Sequence, residues 1–104
     1  MPDFMLIYHG GGMPETPEEG EKAMAEWGKW METHAKSLKD PGNPVGKSKT
    51  VSASGTTDGG GSNPTSGYTV VTADSIDAAC KIASSNPILQ SPDGTVEVAE
   101  IMEM

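Results

Sequence analysis

Hydrophobic and polar positions along the chain change their period several times, and each change marks a predicted element. A continuous apolar run from Phe4 to Tyr8, followed by His9 and three glycines, is typical of a strand buried on both faces. The next segment repeats apolar residues at helical spacing. Its apolar stripe comprises Ala23, Trp27, Trp30, Met31, His34 and Leu38. We therefore expect the chain to begin with a strand followed by an amphipathic helix.

Capping residues indicate where this helix begins and ends. Thr16 is a good N-cap, Pro17 suits the first helical position, and Glu19 completes a capping box. The sequence Asp40-Pro-Gly42 stops a helix, so the helix is expected to run to about Leu38.

The middle of the chain is polar. Residues 49–55 alternate weakly between apolar and polar side chains, which suits an edge strand. Residues 56–66 are rich in Gly, Ser and Asn and show no periodicity, so they form either a long hairpin loop or a mobile flap. Residues 67–73 are apolar on both parities and predict a central strand.

The last third repeats the pattern of helix and strand. Residues 74–83 carry apolar side chains at helical spacing, with Asp74 as the expected N-cap. Cys80 belongs to this apolar stripe and is expected to be a small buried hydrophobe rather than a nucleophile. A turn at Pro92-Asp-Gly94 leads into a final predicted strand over residues 95–102.

The order strand, helix, strand, strand, helix, strand is the split βαβ pattern of a ferredoxin-like fold. We predict one α+β domain over residues 1–104, in which a four-stranded antiparallel sheet carries two helices on one face. Right-handed crossovers place the first and third strands in the centre and the second and fourth outside. The other face of the sheet would remain apolar and exposed. We therefore predict a homodimer through the open sheet face, a dimeric α+β barrel.

Composition and charge narrow the classes of partner. A net charge of −8 repels phosphate backbones and anionic lipid surfaces, so neither a nucleic acid nor a membrane is an expected partner. A single cysteine makes no internal disulfide, and the start of the sequence lacks the long apolar segment of a signal peptide. These features favour a cytoplasmic location.

Three residues are candidates for catalysis. His34 lies on the apolar face of the first helix and could act as a general base, or it could be a core or interface histidine bonded to a backbone carbonyl. Asp40 follows it and shares that face only loosely. Glu100 interrupts the apolar parity of Val96 and Val98. It is either a buried carboxylate that serves as an acid or base, or a residue exposed by a β-bulge near Ala99.

Other side chains are candidates for ligand binding. His9 ends a strand beside a glycine run, where a ligand can approach, although such a histidine could equally face solvent. Trp27 and Trp30 are expected mainly as anchors of the core or an interface. Two histidines without matching ligand spacing predict no metal, and no cofactor is predicted. The predicted ligand-binding residues are His9, Tyr8, Trp27, Trp30, Tyr68 and Glu97.

Taken together, these segments resemble the YCII-related proteins, and within them the subgroup named for an Asp-Gly-Pro-Phe motif. The matching segments are Phe4–Tyr8, Pro17-Glu18-Glu19, Trp27 with Trp30, Gly67-Tyr68, Asp74–Ala79 and Gly94–Val98. The resemblance implies a small dimeric α+β-barrel protein. In its catalytic branch a His–Asp pair is implicated; that histidine would align nearer Met31, and Asp40 lies near the expected aspartate.

The chain also departs from the pattern of that subgroup. Thr57-Asp58-Gly59 stands where the motif begins, but Gly60-Gly61 replaces its Pro-Phe. The last strand of the family typically reads Glu-Val-Arg-Pro, whereas residues 97–100 here read Glu-Val-Ala-Glu.

Two functions follow as hypotheses. The first is small-molecule binding with acid–base chemistry of the lyase or isomerase type, in a pocket near His34, His9 and Glu100. The second is a non-catalytic interaction or regulatory module, for which the resemblance implies an association with a sigma factor. A cavity in which at least two polar groups converge would favour the first hypothesis. A filled interior with an exposed apolar groove would favour the second.

Overall fold

The computed structural model of the chain describes residues 1–12 and 15–103, which form an α+β fold with two helices. The elements are β1 Asp3–His9, α1 Pro17–Thr33, β2 Leu38–Asp40, β3 Lys49–Ser52, β4 Gly55–Asp58, β5 Thr65–Thr72, α2 Ile76–Ala83, a 3-10 turn Pro87–Gln90 and β6 Thr95–Glu100. Four strands form an antiparallel sheet in the order β2-β5-β1-β6, and β3 and β4 form a separate two-stranded sheet. The expected central and last strands form as β5 and β6, although β6 ends at Glu100 rather than at residue 102. The split βαβ order and the dimeric barrel stay predictions. No helix of the described residues is long and apolar enough to cross a membrane.

The hydrophobic core lies on one face of the four-stranded sheet. In β1 the alternate residues Phe4, Leu6 and Tyr8 are buried, and the register places Val71 of β5 beside Phe4. The helices cover this face through residues that include Trp30, Ala79 and Ala83. Full burial of an aliphatic or aromatic side chain contributes about 1.5–3 kcal/mol, so this layer supplies most of the stability of the fold.

α1 begins as the sequence predicts but ends earlier. Thr16 is the N-cap, and its hydroxyl accepts a hydrogen bond of 3.1 Å from the backbone N–H of Glu19. The helix ends at Thr33 with His34 as the C-cap, so the expected extension to Leu38 is wrong. The physical reason is that Leu38 pairs with Val71 as the start of β2, and this places an apolar side chain against the sheet.

A strand forms at Lys49–Ser52, within the predicted edge strand over residues 49–55, but it does not join the four-stranded sheet. β2 occupies the position beside β5, and residues 49–52 pair instead with residues 55–58, within the stretch that was expected to be a loop or flap. All eight strand residues of this hairpin are exposed. A largely polar segment gains little apolar burial beside the core, whereas Leu38 gains more. This difference explains why β2, rather than residues 49–55, lies beside β5.

α2 and β6 show two further differences in detail. The N-cap of α2 is Ser75 rather than Asp74, because the Ser75 hydroxyl accepts a hydrogen bond of 3.1 Å from Ala78 N–H. β6 pairs with β1 in an unbroken register from Thr95 to Glu100, so the expected bulge near Ala99 is not formed.

Candidate functional site

A ladder of aromatic rings connects the sheet to the end of α1. Tyr8 and Trp27 meet edge to face with their ring centres 5.2 Å apart, and Trp27 and Trp30 do so at 6.0 Å. Trp30 then packs against His34 at 5.5 Å. Residues three and four apart on a helix lie on one side of it, so the spacing of Trp27, Trp30 and His34 places these three rings in a row. The structure thus brings together four of the predicted site residues.

The ladder ends in an open cleft of about 260 Å³ between the end of α1 and the segment that follows α2. The cleft is lined by Glu26, Lys29, Trp30, Thr33, His34, Ser85, Pro87 and Gln90. The cleft therefore combines an acidic residue, a basic residue, two hydroxyl groups and one amide beside the Trp30 indole.

Hydrogen bonds fix the orientation of the His34 ring. Nε2 of His34 lies 3.1 Å from the Ser85 hydroxyl oxygen. That hydroxyl donates to the carbonyl oxygen of Ile82 at 3.2 Å, and the Trp30 indole N–H donates to the same oxygen at 3.1 Å. A serine hydroxyl has one proton, and with that proton directed at the Ile82 carbonyl oxygen we assign Ser85 as the acceptor from Nε2–H of His34.

This tautomer leaves the other ring nitrogen unprotonated. Within the described part of the chain, Nδ1 of His34 has no hydrogen-bond partner. A half-buried imidazole with one anchored nitrogen and one available lone pair has the geometry of a general base. His34 is therefore neither packed into an aliphatic core nor bonded to a backbone carbonyl, which was the alternative interpretation of this residue.

Sequence reasoning missed Ser85 and Lys29 as site residues. The signal for Ser85 is the polar run Ser84-Ser-Asn86 before Pro87, directly after α2. Such a run follows a helix end, where carbonyl groups lack helical partners. Lys29 precedes Trp30 by one residue, and nothing in the apolar stripe marks it as a cleft residue.

Tyr8 belongs to a buried polar network on the helix-covered face. Its hydroxyl donates to Thr69 Oγ1 at 2.7 Å, and Thr69 Oγ1 donates to the carbonyl oxygen of Pro41 at 2.9 Å. Asn86 donates to the Tyr8 oxygen at 3.2 Å and accepts from Ile88 N–H at 2.9 Å. Burial raises the pKa of Tyr8 above its usual 10.0, against smaller opposing effects of Thr69 and Asn86. The Tyr8 hydroxyl is thus engaged within the core.

His9, Glu97 and Tyr68 lie on the opposite, open face of the sheet. The register places Ile7 between Glu97 on β6 and Tyr68 on β5. His9 is 7% exposed; its Nδ1 lies 3.2 Å from the Pro64 carbonyl oxygen and its Nε2 lies 3.1 Å from Glu97 Oε1. Both partners are acceptors, so each ring nitrogen is directed at a protein group. His9 thus links β1 to the loop before β5 through Pro64 and to β6 through Glu97.

The predicted catalytic residues Asp40 and Glu100 lie elsewhere. Asp40 ends β2, and its carboxylate accepts a hydrogen bond of 2.9 Å from Gly42 N–H, which stabilises the turn. Glu100 ends β6 opposite Phe4 and is exposed, because it lies at the end of an edge strand. The interpretation of Glu100 as a buried carboxylate is therefore wrong. Glu100 is exposed, as the alternative expected, but without the bulge that was expected to expose it. Among the described residues, no hydrogen bond connects His34, Asp40 and Glu100 to one another.

Cys80 is exposed, so its predicted burial is wrong. α2 packs on the sheet through Ala79 and Ala83, which leaves Cys80 on the flank of the helix. There it lines a groove of about 160 Å³ together with Ala83, Ser84, Leu89, Val96 and Val98. Residues 1–12 and 15–103 contain no group of three or more side chains placed to hold a metal ion.

No model of a protein family matches the chain, and no curated protein sequence matches it significantly. The resemblance to the YCII-related proteins accordingly stays a prediction.

Proposed function

We propose that the protein binds a small organic molecule in the cleft beside His34 and that His34 transfers a proton on that molecule. The observation that carries this proposal is the anchored imidazole: Ser85 holds Nε2, Trp30 supports the ring, and Nδ1 has no partner among the described residues. A cavity with converging polar groups is the feature that favours ligand binding over a purely structural role.

The lining of the cleft indicates the class of ligand. Ligand pockets for drug-sized molecules begin at about 300 Å³, so a cleft of about 260 Å³ suits a smaller molecule. Lys29 supplies an ammonium group that suits a carboxylate, and Gln90 supplies amide donors and acceptors. Thr33 is less available as a donor, because its hydroxyl already donates to the Lys29 carbonyl oxygen at 2.8 Å. A small oxo acid fits this set of groups.

The chemistry is removal of a proton from a carbon next to a carbonyl group. His34 Nδ1 accepts the proton, the C–H bond breaks, and its electron pair passes into the carbonyl group as an enolate. Ser85 keeps the ring in the required tautomer, and Lys29 holds the carboxylate. This step begins many lyase and isomerase reactions.

Deuterium exchange tests the proposal. The protein is incubated in D2O with pyruvate and other small 2-oxo acids, and loss of the methyl or methylene proton signal is followed by NMR. We expect His34→Gln to reduce the exchange rate by about 10²–10⁴-fold. Glu32→Gln is the matched control, because Glu32 is exposed on the same helix and does not line the cleft. Equal rates for the wild type and His34→Gln would contradict the proposal.

A second candidate function is an interaction module that assembles as a homodimer. Its supporting observation is the open sheet face, which carries His9 and Glu97 at one end and has the apolar residues Met5, Ile7, Tyr68, Val70 and Ala99. The register places these apolar residues side by side, away from the helices, and all of them are half-buried. A second copy packed sheet to sheet would cover them. The sigma-factor partner implied by the family resemblance stays a prediction.

A further inference from the structure

The hairpin of β3 and β4, which we call the arm, stands apart from the rest of the fold. Its strands pair with each other and with no other strand of the described residues. An isolated two-stranded hairpin is only marginally stable in water. The radius of gyration of 14.8 Å also exceeds the value of about 13 Å typical of a compact domain of this length. The arm therefore lacks the packing that usually supports such a hairpin.

One apolar side chain of the arm is largely exposed to solvent. Val51 is the only large apolar residue of the arm and is 77% exposed. Its neighbours on β3 are Lys49, Thr50 and Ser52, which are polar and suit an exposed position. When a strand adds to the edge of another sheet, pockets for its alternate side chains give specificity, and Val51 is an apolar side chain available for such a pocket.

The edge of the main sheet offers such a pocket. β6 pairs with β1 on one side, and its outer edge has no strand partner among the described elements. The groove lined by Cys80, Leu89, Val96 and Val98 lies beside that edge, on the face that carries the helices. A strand added to the edge would place alternate side chains over this groove.

We propose that the arm of one protomer adds β3 to the outer edge of β6 in a second copy of the chain and inserts Val51 into the groove beside Cys80. This inference rests on the homodimer proposed above and extends it. Each protomer has one arm and one edge, so a two-fold axis satisfies both pairs at once.

The order of the strands allows the arm to meet β6 of the second copy while the two sheets pack face to face. Pro44 bridges Gly67, and Val45 N–H donates to the Ser66 carbonyl oxygen at 3.0 Å, so the chain enters the arm beside the β2 edge of the sheet. In the order β2-β5-β1-β6, a two-fold axis parallel to the strands places the β2 edge of one sheet over the β6 edge of its partner.

The size of the open sheet face supports a contribution from the arm. The strands β2, β5, β1 and β6 have 3, 8, 7 and 6 residues. At about 3.3 Å per residue and about 4.8 Å between strands, they give a footprint of about 380 Å². A stable interface covers about 800 Å² on each partner. The sheet alone falls below this area, and two docked arms would extend the interface on both sides.

A disulfide experiment tests the contact, because Cys80 is the single cysteine of the chain. A disulfide requires Cα atoms within about 7 Å. We expect Val51→Cys to form a covalent dimer under mild oxidation, with peptide mapping that shows a link between positions 51 and 80. The matched control is Thr50→Cys, which lies on the opposite face of β3 and should give at least about tenfold less of this product. Mixing Val51→Cys/Cys80→Ser with the wild type should give a linked heterodimer.

The outcomes separate the arm from the rest of the proposal. Equal linking by Val51→Cys and Thr50→Cys, in a protein that sediments as a dimer, would overturn the arm contact and leave the sheet-to-sheet dimer. A link formed within a single chain would show that the arm folds onto its own sheet, which also overturns the inference. Monomers at micromolar concentration would overturn both the arm and the dimer, whereas the deuterium exchange at His34 would be unaffected.

Discussion

The imidazole Nε2 of His34 lies 3.1 Å from the hydroxyl oxygen of Ser85, which joins the end of α1 to the segment after α2. Both residues line the cleft, and the Ser85 hydroxyl donates a hydrogen bond to the carbonyl oxygen of Ile82. The relationship gives Ser85 a positioning role: it selects the tautomer of His34 without being the proton acceptor for a ligand.

Replacement of Ser85 should therefore weaken proton transfer without unfolding the protein. Ser85→Ala removes the acceptor for Nε2–H, so the ring can rotate, and we expect the exchange rate to fall between about tenfold and a hundredfold. The ¹⁵N shifts of His34 should show a loss of the single tautomer, which a merely structural role would not produce. Ser84→Ala is the control, since the Ser84 hydroxyl donates to the Lys81 carbonyl oxygen outside this network. An unchanged tautomer in Ser85→Ala would contradict the assignment.

The buried hydroxyl of Tyr8 should contribute measurably to stability. Tyr8→Phe leaves the Asn86 amide without its acceptor and Thr69 without a donor inside the core. We expect the free energy of unfolding in urea to fall by about 1–3 kcal/mol. Tyr68→Phe, on the open sheet face, should change it far less. A neutral Tyr8→Phe would mean that water replaces the lost partners at no cost.

Alkaline pH should destabilise the fold through the same residue. Burial raises the pKa of Tyr8 above the 10.0 of an unfolded chain, so the folded state retains this proton where the unfolded state loses it. The contribution of Tyr8 is then complete below the unfolded value and declines as the pH rises through it toward the folded pKa. The difference in unfolding free energy between the wild type and Tyr8→Phe should shrink above pH 10.0. A constant difference from neutral to strongly alkaline pH would argue against this linkage.

A charge on the open sheet face should prevent dimer formation. Val70 lies beside Met5 on that face, and Val70→Glu would bury a carboxylate between two apolar sheets. We expect the dissociation constant measured by sedimentation equilibrium to rise by more than about tenfold. Met24→Glu serves as the control, because Met24 is exposed on α1. If Met24→Glu, rather than Val70→Glu, separated the protomers, the interface would lie on the helices.

Local interactions were predictable from neighbouring residues. The Thr16 cap, the apolar run of β1 and the helical spacing of Trp27, Trp30 and His34 depend on side chains within a few positions of one another. Hydrogen bonds and side-chain direction at this range follow from backbone geometry alone. The α+β class and the row of Trp27, Trp30 and His34 along α1 were therefore visible in the sequence, whereas the contact of Tyr8 with Trp27 was not.

The tertiary structure decided which segments lie beside the core strands and which polar groups lie within hydrogen-bond distance of each other. Leu38, rather than residues 49–55, lies beside β5, where its apolar side chain packs against the core. Ser85 meets His34 because α1 and α2 pack on the same face of the sheet, and that contact joins residues with no sequence periodicity in common. The sequence by itself determined the first strand, the start of α1 and its apolar stripe; packing on one shared sheet decided which segment pairs with β5 and which side chains form the site.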